Sequence, residues 1–191
     1  NFQPIQLIFL DLPFERAATV GRGAIDLRLD SAEINVIATT QGPVQSALKF
    51  ETNRTVLGAR YGLAEHWDVG LDMPFISRFG GFLDPIIDEV EGIFGVGNVE
   101  RDMYPNNSFG DFYSRKGQTK LFDGGKETLY PGDLSISIKR ELPLGKGLPL
   151  LALRGAVKAP TGSEGKVTGS GKPDFGLGLA AEHRPLSRLN L

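Results

Sequence analysis

The side chains able to do chemistry are few and scattered along the chain. Only two histidines occur, His66 and His183, and neither has a second histidine or a cysteine within four residues. A His-based zinc motif is therefore absent, and both histidines read as residues of exposed turns. The chain has no cysteine, which excludes a disulfide framework, thiolate catalysis and Cys-type zinc sites. No Gly-x-Ser-x-Gly occurs, so no serine nucleophile is marked. The segment Gly162 to Lys172 reads GSEGKVTGSGK and invites comparison with a phosphate-binding loop. That motif needs a glycine five residues before its Gly-Lys pair and a Ser or Thr after it. Here those positions hold Lys166 and Pro173, so the match fails and a mobile glycine-rich loop is expected. Asp84, Asp88, Glu89 and Glu91 cluster without the spacing of a calcium loop, and read as a solvated helix face. No catalytic residue, metal ligand or cofactor is expected.

Charge sets a further limit. The 191 residues carry 21 Lys+Arg against 23 Asp+Glu, a net charge of −2, which lacks the basic surplus of a nucleic-acid binder. Glycine is the unusual count: 25 residues, about 13%, against an ordinary level of about 7%. Glycine at that level disfavours a helical bundle and suits a turn-rich β protein. No run of 18 apolar residues exists to make a transmembrane helix.

Alternation with a period of two then locates the strands. In Trp67–Ser77, Trp67, Val69, Leu71, Met73 and Phe75 share one face, opposite Asp68, Gly70, Asp72 and Pro74. The same pattern gives strands over about 23–40, 47–61, 67–77, 132–142, 150–159 and 174–183, in one domain covering 1–191. None is continuously hydrophobic, which points to an antiparallel sheet rather than a parallel α/β one. In the first strand the phase slips: Ile25, Leu27 and Leu29 are followed by Ala32, Ile34, Val36 and Ala38, predicting a bulge or a tight turn.

Short turns (62–66, 143–149, 183–189) alternate with connections read as long (42–46, 78–131, 160–173), and short turns at one end with long loops at the other are the habit of outer-membrane barrels. Tyr61 and Trp67 flank one short turn, where an aromatic girdle at a membrane boundary belongs. One face collects Asp26, Arg28, Asp30, Arg54, Arg60, Asp68, Asp72, Lys139, Glu141, Arg154, Lys158, Asp174 and Glu182. On a soluble sandwich these would be the wet exterior. In a membrane barrel a charge facing lipid costs about 2–4 kcal/mol near the midplane, so they would line the lumen. Mixed signs favour cross-pairing inside it. Within the long loop 79–131, Leu83, Ile86, Ile87, Val90, Ile93 and Phe94 recur at helical spacing. Asp84 is placed to cap that helix, Pro85 to open it and Gly95 to stop it. The helix is expected to cover the barrel mouth or fold partly inside, and 98–130 to be irregular.

The stretch from Arg60 to Phe109, RYGLAEHWDVGLDMPFISRFGGFLDPIIDEVEGIFGVGNVERDMYPNNSF, has a distinctive order. A strand ends in a YGL turn, and a second strand ends in a proline. FGGFLD, an Ile-rich helix and a Gly-rich segment closed by an arginine follow. It resembles an uncharacterised, porin-like family of Gram-negative outer-membrane proteins, known only as a domain of unknown function. GDLSISIKRELP (Gly132 to Pro143) and LRGAVKAPTGSEGKVTGSGKPDFGLGLAAE (Leu153 to Glu182) suit outer-membrane barrels more generally. The resemblance implies a monomeric antiparallel barrel, exported after signal-peptide removal, and carries no catalytic residues.

Six strands fall short of the eight or more of bacterial single-chain barrels, and 188–191 reads as a seventh strand beginning. The expectation is a chain that continues past Leu191, or neighbouring copies that complete one barrel. No signal peptide is expected in 1–14. The sequence thus predicts an all-β, antiparallel outer-membrane barrel with one short amphipathic helix, non-enzymatic and in contact with lipid. It would serve as a passive pore for small polar solutes. The alternative is a plugged structural or interaction barrel with an envelope partner or a second copy of itself.

Overall fold

The computed structural model describes residues 9–10, 12, 15–40, 44–97, 101, 104–115, 120–123, 125–145 and 147–182. Its elements in chain order are β1 (Ile25–Thr40), β2 (Val44–Ala64), β3 (Trp67–Phe79), α1 (Asp84–Phe94), β4 (Gly110–Arg115), β5 (Lys120–Asp123), β6 (Glu127–Pro131), β7 (Leu134–Leu142), β8 (Leu150–Ala159) and β9 (Asp174–Glu182). β1, β2, β3, β7, β8 and β9 pair in that order, all antiparallel, in a sheet curled into half a barrel. The expected seventh strand and His183 lie outside the described residues.

Register explains how the two faces come to differ. One cross-strand row runs Leu27, Ala59, Leu71, Ile136, Val157, Phe175. The adjacent row runs Arg28, Gly58, Asp72, Ser135, Lys158, Asp174. Because side chains alternate across a strand, a one-residue step changes the face from apolar to charged. Burial follows the reverse of the ordinary order. Leu27, Phe175 and Leu177 are 77%, 78% and 90% exposed, while Asp68 and Lys158 on the other face are 2% exposed. Buried charge and exposed leucine are the informative observations in any fold, and here they occupy opposite sides of one sheet.

The predicted phase slip in β1 is not a bulge. β1 pairs with β2 without interruption from Ile25↔Tyr61 to Thr40↔Ser46. What changes along the strand is which face is covered. Past Asp30, the side that carried Arg28 carries Val36, Leu48 and Phe50, packed with Ile34, Ala38 and Phe109. The Phe50 and Phe109 rings sit 6.2 Å apart at 41°. The opposite side turns polar, with Asn35, Lys49 and Glu51, and α1 covers it.

Residues 98–130 were expected to be irregular, yet part of them is paired. β2 outruns β3, and its residues 44–49 take β4 as a partner instead. β6 pairs with β3 beyond the end of β7. A long strand leaves backbone groups that need partners, and these short strands supply them without showing a clear period of their own. The glycine-rich segment expected to be mobile is likewise tied down. The Asp133 carboxylate accepts from the Gly162 N–H at 2.8 Å and the Ser170 N–H at 3.0 Å, and pairs with Lys158 at 2.9 Å. Arg78 donates to the Lys166 carbonyl.

α1 starts and stops nearly as expected. Leu83, not Asp84, is the N-cap, Pro85 stands in the first turn, and Gly95 closes the helix with φ 65°. Positive φ at the C-cap is the conformation that glycine adopts without steric cost. The helix neither covers the mouth nor enters the half-barrel: it packs against the side of β1 and β2 that carries Asn35, Lys49 and Glu51, by register the side of Leu27 and Leu57.

The aromatic centre of the small apolar cluster gives the fold its first test. Phe50→Ala removes a ring that is 1% exposed and is expected to cost about 3–5 kcal/mol. A lowered urea midpoint with an unchanged slope is the expected reading.

Candidate functional site

The charged face is not an open surface. Of the described residues of the chain before β1, Leu10 and 15–20 make contacts at several points along it. The Leu10 N–H donates to Asp174 Oδ2 at 3.1 Å. Glu15 joins two strands, pairing with Arg60 Nε at 3.0 Å and Arg154 Nη2 at 3.1 Å. Arg16 reaches Glu182 at 3.0 Å. Lys139 Nζ donates to the carbonyls of Arg16 and Ala18 at 3.3 and 2.9 Å. The Thr19 N–H and hydroxyl both donate to Glu141 Oε2, at 3.2 and 3.1 Å, and the Val20 N–H donates to Asp68 Oδ2 at 3.0 Å. Between them Ala17 is 0% exposed. A segment that crosses a sheet outside its ladder has backbone donors with no strand to satisfy them, and the sheet's carboxylates take that role.

Glycines make the space. A Cβ at Gly62 would stand 2.0 Å from the Gly21 carbonyl oxygen, and one at Gly176 would stand 2.9 Å from the Leu10 side chain. A Cβ at Gly70 would meet the Arg60 guanidinium at 2.5 Å. Part of the glycine excess is therefore a set of close approaches under the segment rather than turns.

The sheet's own charges pair across strands. Arg28 and Arg60 share Asp72, at 3.3 and 2.9 Å, and Arg28 also meets Asp30 at 2.6 Å. Lys139 meets Asp68 at 3.4 Å and Lys158 meets Asp174 at 2.8 Å. The residues expected on one side, Asp26, Arg28, Arg54, Arg60, Asp68, Asp72, Lys139, Glu141, Arg154, Lys158, Asp174 and Glu182, do share a face by register. Tyr61 and Trp67 stand on the other face at the short-turn end, with the Arg140 guanidinium 5.0 Å from the Trp67 ring centre. His66, in the adjoining turn, places Nδ1 3.1 Å from Glu141. A cavity of about 270 Å³ remains beside the segment, lined by Glu15, Arg16, Asp26, Arg28, Arg60 and Lys139 among others. Among the described residues no group of three or more metal-ligating side chains is placed to hold an ion.

A second buried ionic cluster fixes α1. Asp84 is 0% exposed and accepts from Lys49 Nζ at 2.5 Å, the Asn107 N–H at 2.7 Å, and Arg101 and Asn35 at 2.8 Å each. Glu51 accepts from the N–H groups of Phe82 and Leu83 at 3.0 and 2.6 Å. Gly81, at φ 89°, makes that approach feasible, since a Cβ there would lie 2.1 Å from the Glu51 carboxyl carbon. Burial alone would push the Asp84 carboxyl up; the bonds from Lys49, Asn107 and Asn35 outweigh it and hold it below the ordinary value.

Glu15, Arg16 and Thr19 are the site residues that sequence reasoning missed. Their only signal is a Glu-Arg pair ahead of the first alternating run. Burial pushes the Glu15 carboxyl up, but the charges of Lys139, Arg60 and Arg154 hold it below its usual range. A depressed carboxyl contributes stability above its unfolded value and loses it as pH falls through the folded one. The segment is therefore expected to stay seated at pH 5 and to release only below the ordinary glutamate range. Glu15→Gln takes one anion from Arg60, which keeps Asp72, and from Arg154, costs about 1.5–3 kcal/mol and speeds amide exchange over 15–20 by about 10–10²-fold at neutral pH. Exchange that is unchanged by the substitution would show that Glu15 does not hold the segment.

Comparison with curated proteins and with solved structures finds no match. A family model described as "Protein of unknown function (DUF3187)" matches residues 1–187, and the chain belongs to that family.

Proposed function

We propose that this protein is a non-enzymatic outer-membrane β-barrel whose interior is filled by its own N-terminal segment, a structural or interaction barrel rather than an open pore. The carrying observation is the opposed polarity of the two faces together with the segment seated on the charged one. An exterior of Leu27, Leu71, Ile136, Leu153, Phe175 and Leu177 is unfavourable in water and favourable against acyl chains. The charged face would be costly against lipid and is supplied with counter-charges instead.

Lipid also forbids unpaired strand edges. The described residues give β1 and β9 no partner on their outer edges. Closure then needs more strands, from the same protein or from a neighbouring copy. Strand β1 and strand β9 run in opposite directions, so an even number of added strands keeps every pair antiparallel.

The open-pore reading keeps one support, the 270 Å³ cavity beside Glu15 and Arg28. Planar-bilayer recording separates the two. Plugging predicts no steps above lipid background for the intact protein, and steps once Glu15→Ala and Arg16→Ala loosen the segment. Steps from the intact protein would favour the pore. Recovery in the aqueous phase without detergent would overturn the membrane reading altogether.

A further inference from the structure

α1 is amphipathic in the reverse sense. The side turned to the protein carries Asp84, Ile87, Asp88 and Glu91, spaced i, i+3, i+4, i+7. Asp84 is buried on Lys49 and Arg101, and Arg101 also lies 3.6 Å from Asp88 and 3.7 Å from Glu91. The side turned outward carries Phe82, Ile86, Val90, Ile93 and Phe94, all between 46% and 76% exposed. A surface helix in water presents the opposite arrangement.

The outward ridge is not isolated. On β3 the face shared by Trp67, Val69, Leu71, Met73 and Phe75 ends at Phe79. The Phe79 ring stacks on Phe82, the first residue of the ridge, with centroids 6.5 Å apart at 12°. Broken only by Ser77, one apolar strip therefore runs from Trp67 up β3 and onto the helix. Trp67 to Phe79 spans about 40 Å along the strand at about 3.3 Å per residue. At a barrel tilt of about 40° that becomes a height of about 30 Å, the thickness of a bilayer's hydrocarbon core.

We infer that α1 is an interfacial helix, seated in the headgroup layer opposite the Trp67 end, with Phe82, Ile86, Val90 and Ile93 dipping into the acyl boundary. The occupant of this ridge is lipid. The acidic stripe is what permits it: Lys49 and Arg101 hold the polar side to the sheet, so the apolar side must face outward. The inference rests on the membrane reading above.

Trp67 is the chain's single tryptophan. In a Trp67→Phe background, Ile93→Trp reports on the ridge, Phe94→Trp serves as a second position there, and Leu177→Trp reports on the sheet exterior. The full protein goes into phosphatidylcholine vesicles brominated at shallow or deep chain positions. An interfacial helix lies about 5–10 Å into the boundary, so shallow bromine is expected to remove about half of the helix emission and deep bromine much less. Leu177→Trp is expected to respond to deep bromine. A quenched Leu177→Trp with unquenched helix positions would overturn the helix inference and leave the barrel reading standing. Blue-shifted helix emission without quenching would mean a protein partner or second copy covers the ridge, which also overturns it. Quenching at neither site would overturn both readings.

Discussion

One carboxylate shared by two guanidiniums governs the arrangement of the charged face. Glu15 stands between Arg60 on β2 and Arg154 on β8, which lie on non-adjacent strands of the curled sheet. Arg60 is 8% exposed, Arg154 8% and the neighbouring Lys139 5%. Charges this deep are tolerated only when paired and hydrogen-bonded, and desolvating them offsets much of the attraction. The pairing is therefore better understood as a constraint than as a source of stability. Asp72 and Asp68 answer Arg60 and Lys139 from within the sheet, and the segment before β1 brings Glu15 as a further anion that ties Arg60 to Arg154. The remaining contacts follow along its path, with Lys139 capping carbonyls and Glu141, Asp68 and Asp174 accepting N–H groups.

The same constraint explains the pattern of covering along β1 and β2. Near the short turns, the charged face is covered by the segment and the apolar face is left bare. Toward the long loops, the assignment reverses: Val36, Leu48 and Phe50 are packed beneath Phe109, and the polar opposite side is covered by α1. A strand with strict alternation can meet two environments by changing which phase is apolar, with no break in its hydrogen bonding. β1 does this within 16 residues.

That reversal was visible in the sequence as a slip between Leu29 and Ala32, but its meaning was not. A bulge and a change of environment leave the same trace in a hydrophobicity pattern, and only the unbroken register separates them. The six long strands were legible from their alternation, which β1 keeps on either side of its slip, and register then put every expected charge on one face. The short strands β4 to β6 were not, because pairing with the overhang of a longer neighbour demands backbone rather than a side-chain period. The seat of the N-terminal segment was hidden for a different reason. Glu15 finds Arg154 across more than a hundred residues, and Arg16 finds Glu182 across 166 positions. No local spacing records such a contact. The glycines at 62, 70 and 176 hold the trace of it, but in a glycine-rich chain they are indistinguishable beforehand from turn residues.

α1 shows how a correct local reading can give the wrong orientation. Its periodicity, its Pro85 and its Gly95 all specify a helix, and its apolar stripe suggests that Ile86, Val90 and Ile93 face a core. Orientation depends on what lies opposite, and opposite lie Lys49, Arg101 and Asn35. Asp84, with four donors on its two oxygens, is hydrogen-bonded as fully as a carboxylate can be. Rotating the helix to bury its apolar stripe would strip that carboxylate of its donors and leave Lys49, 3% exposed, without its anion. The helix thus turns its polar side inward for the reason that the sheet below does: the charges are matched within the protein. The apolar surface of both is left for the surroundings, and the proposed lipid environment accounts for sheet and helix together.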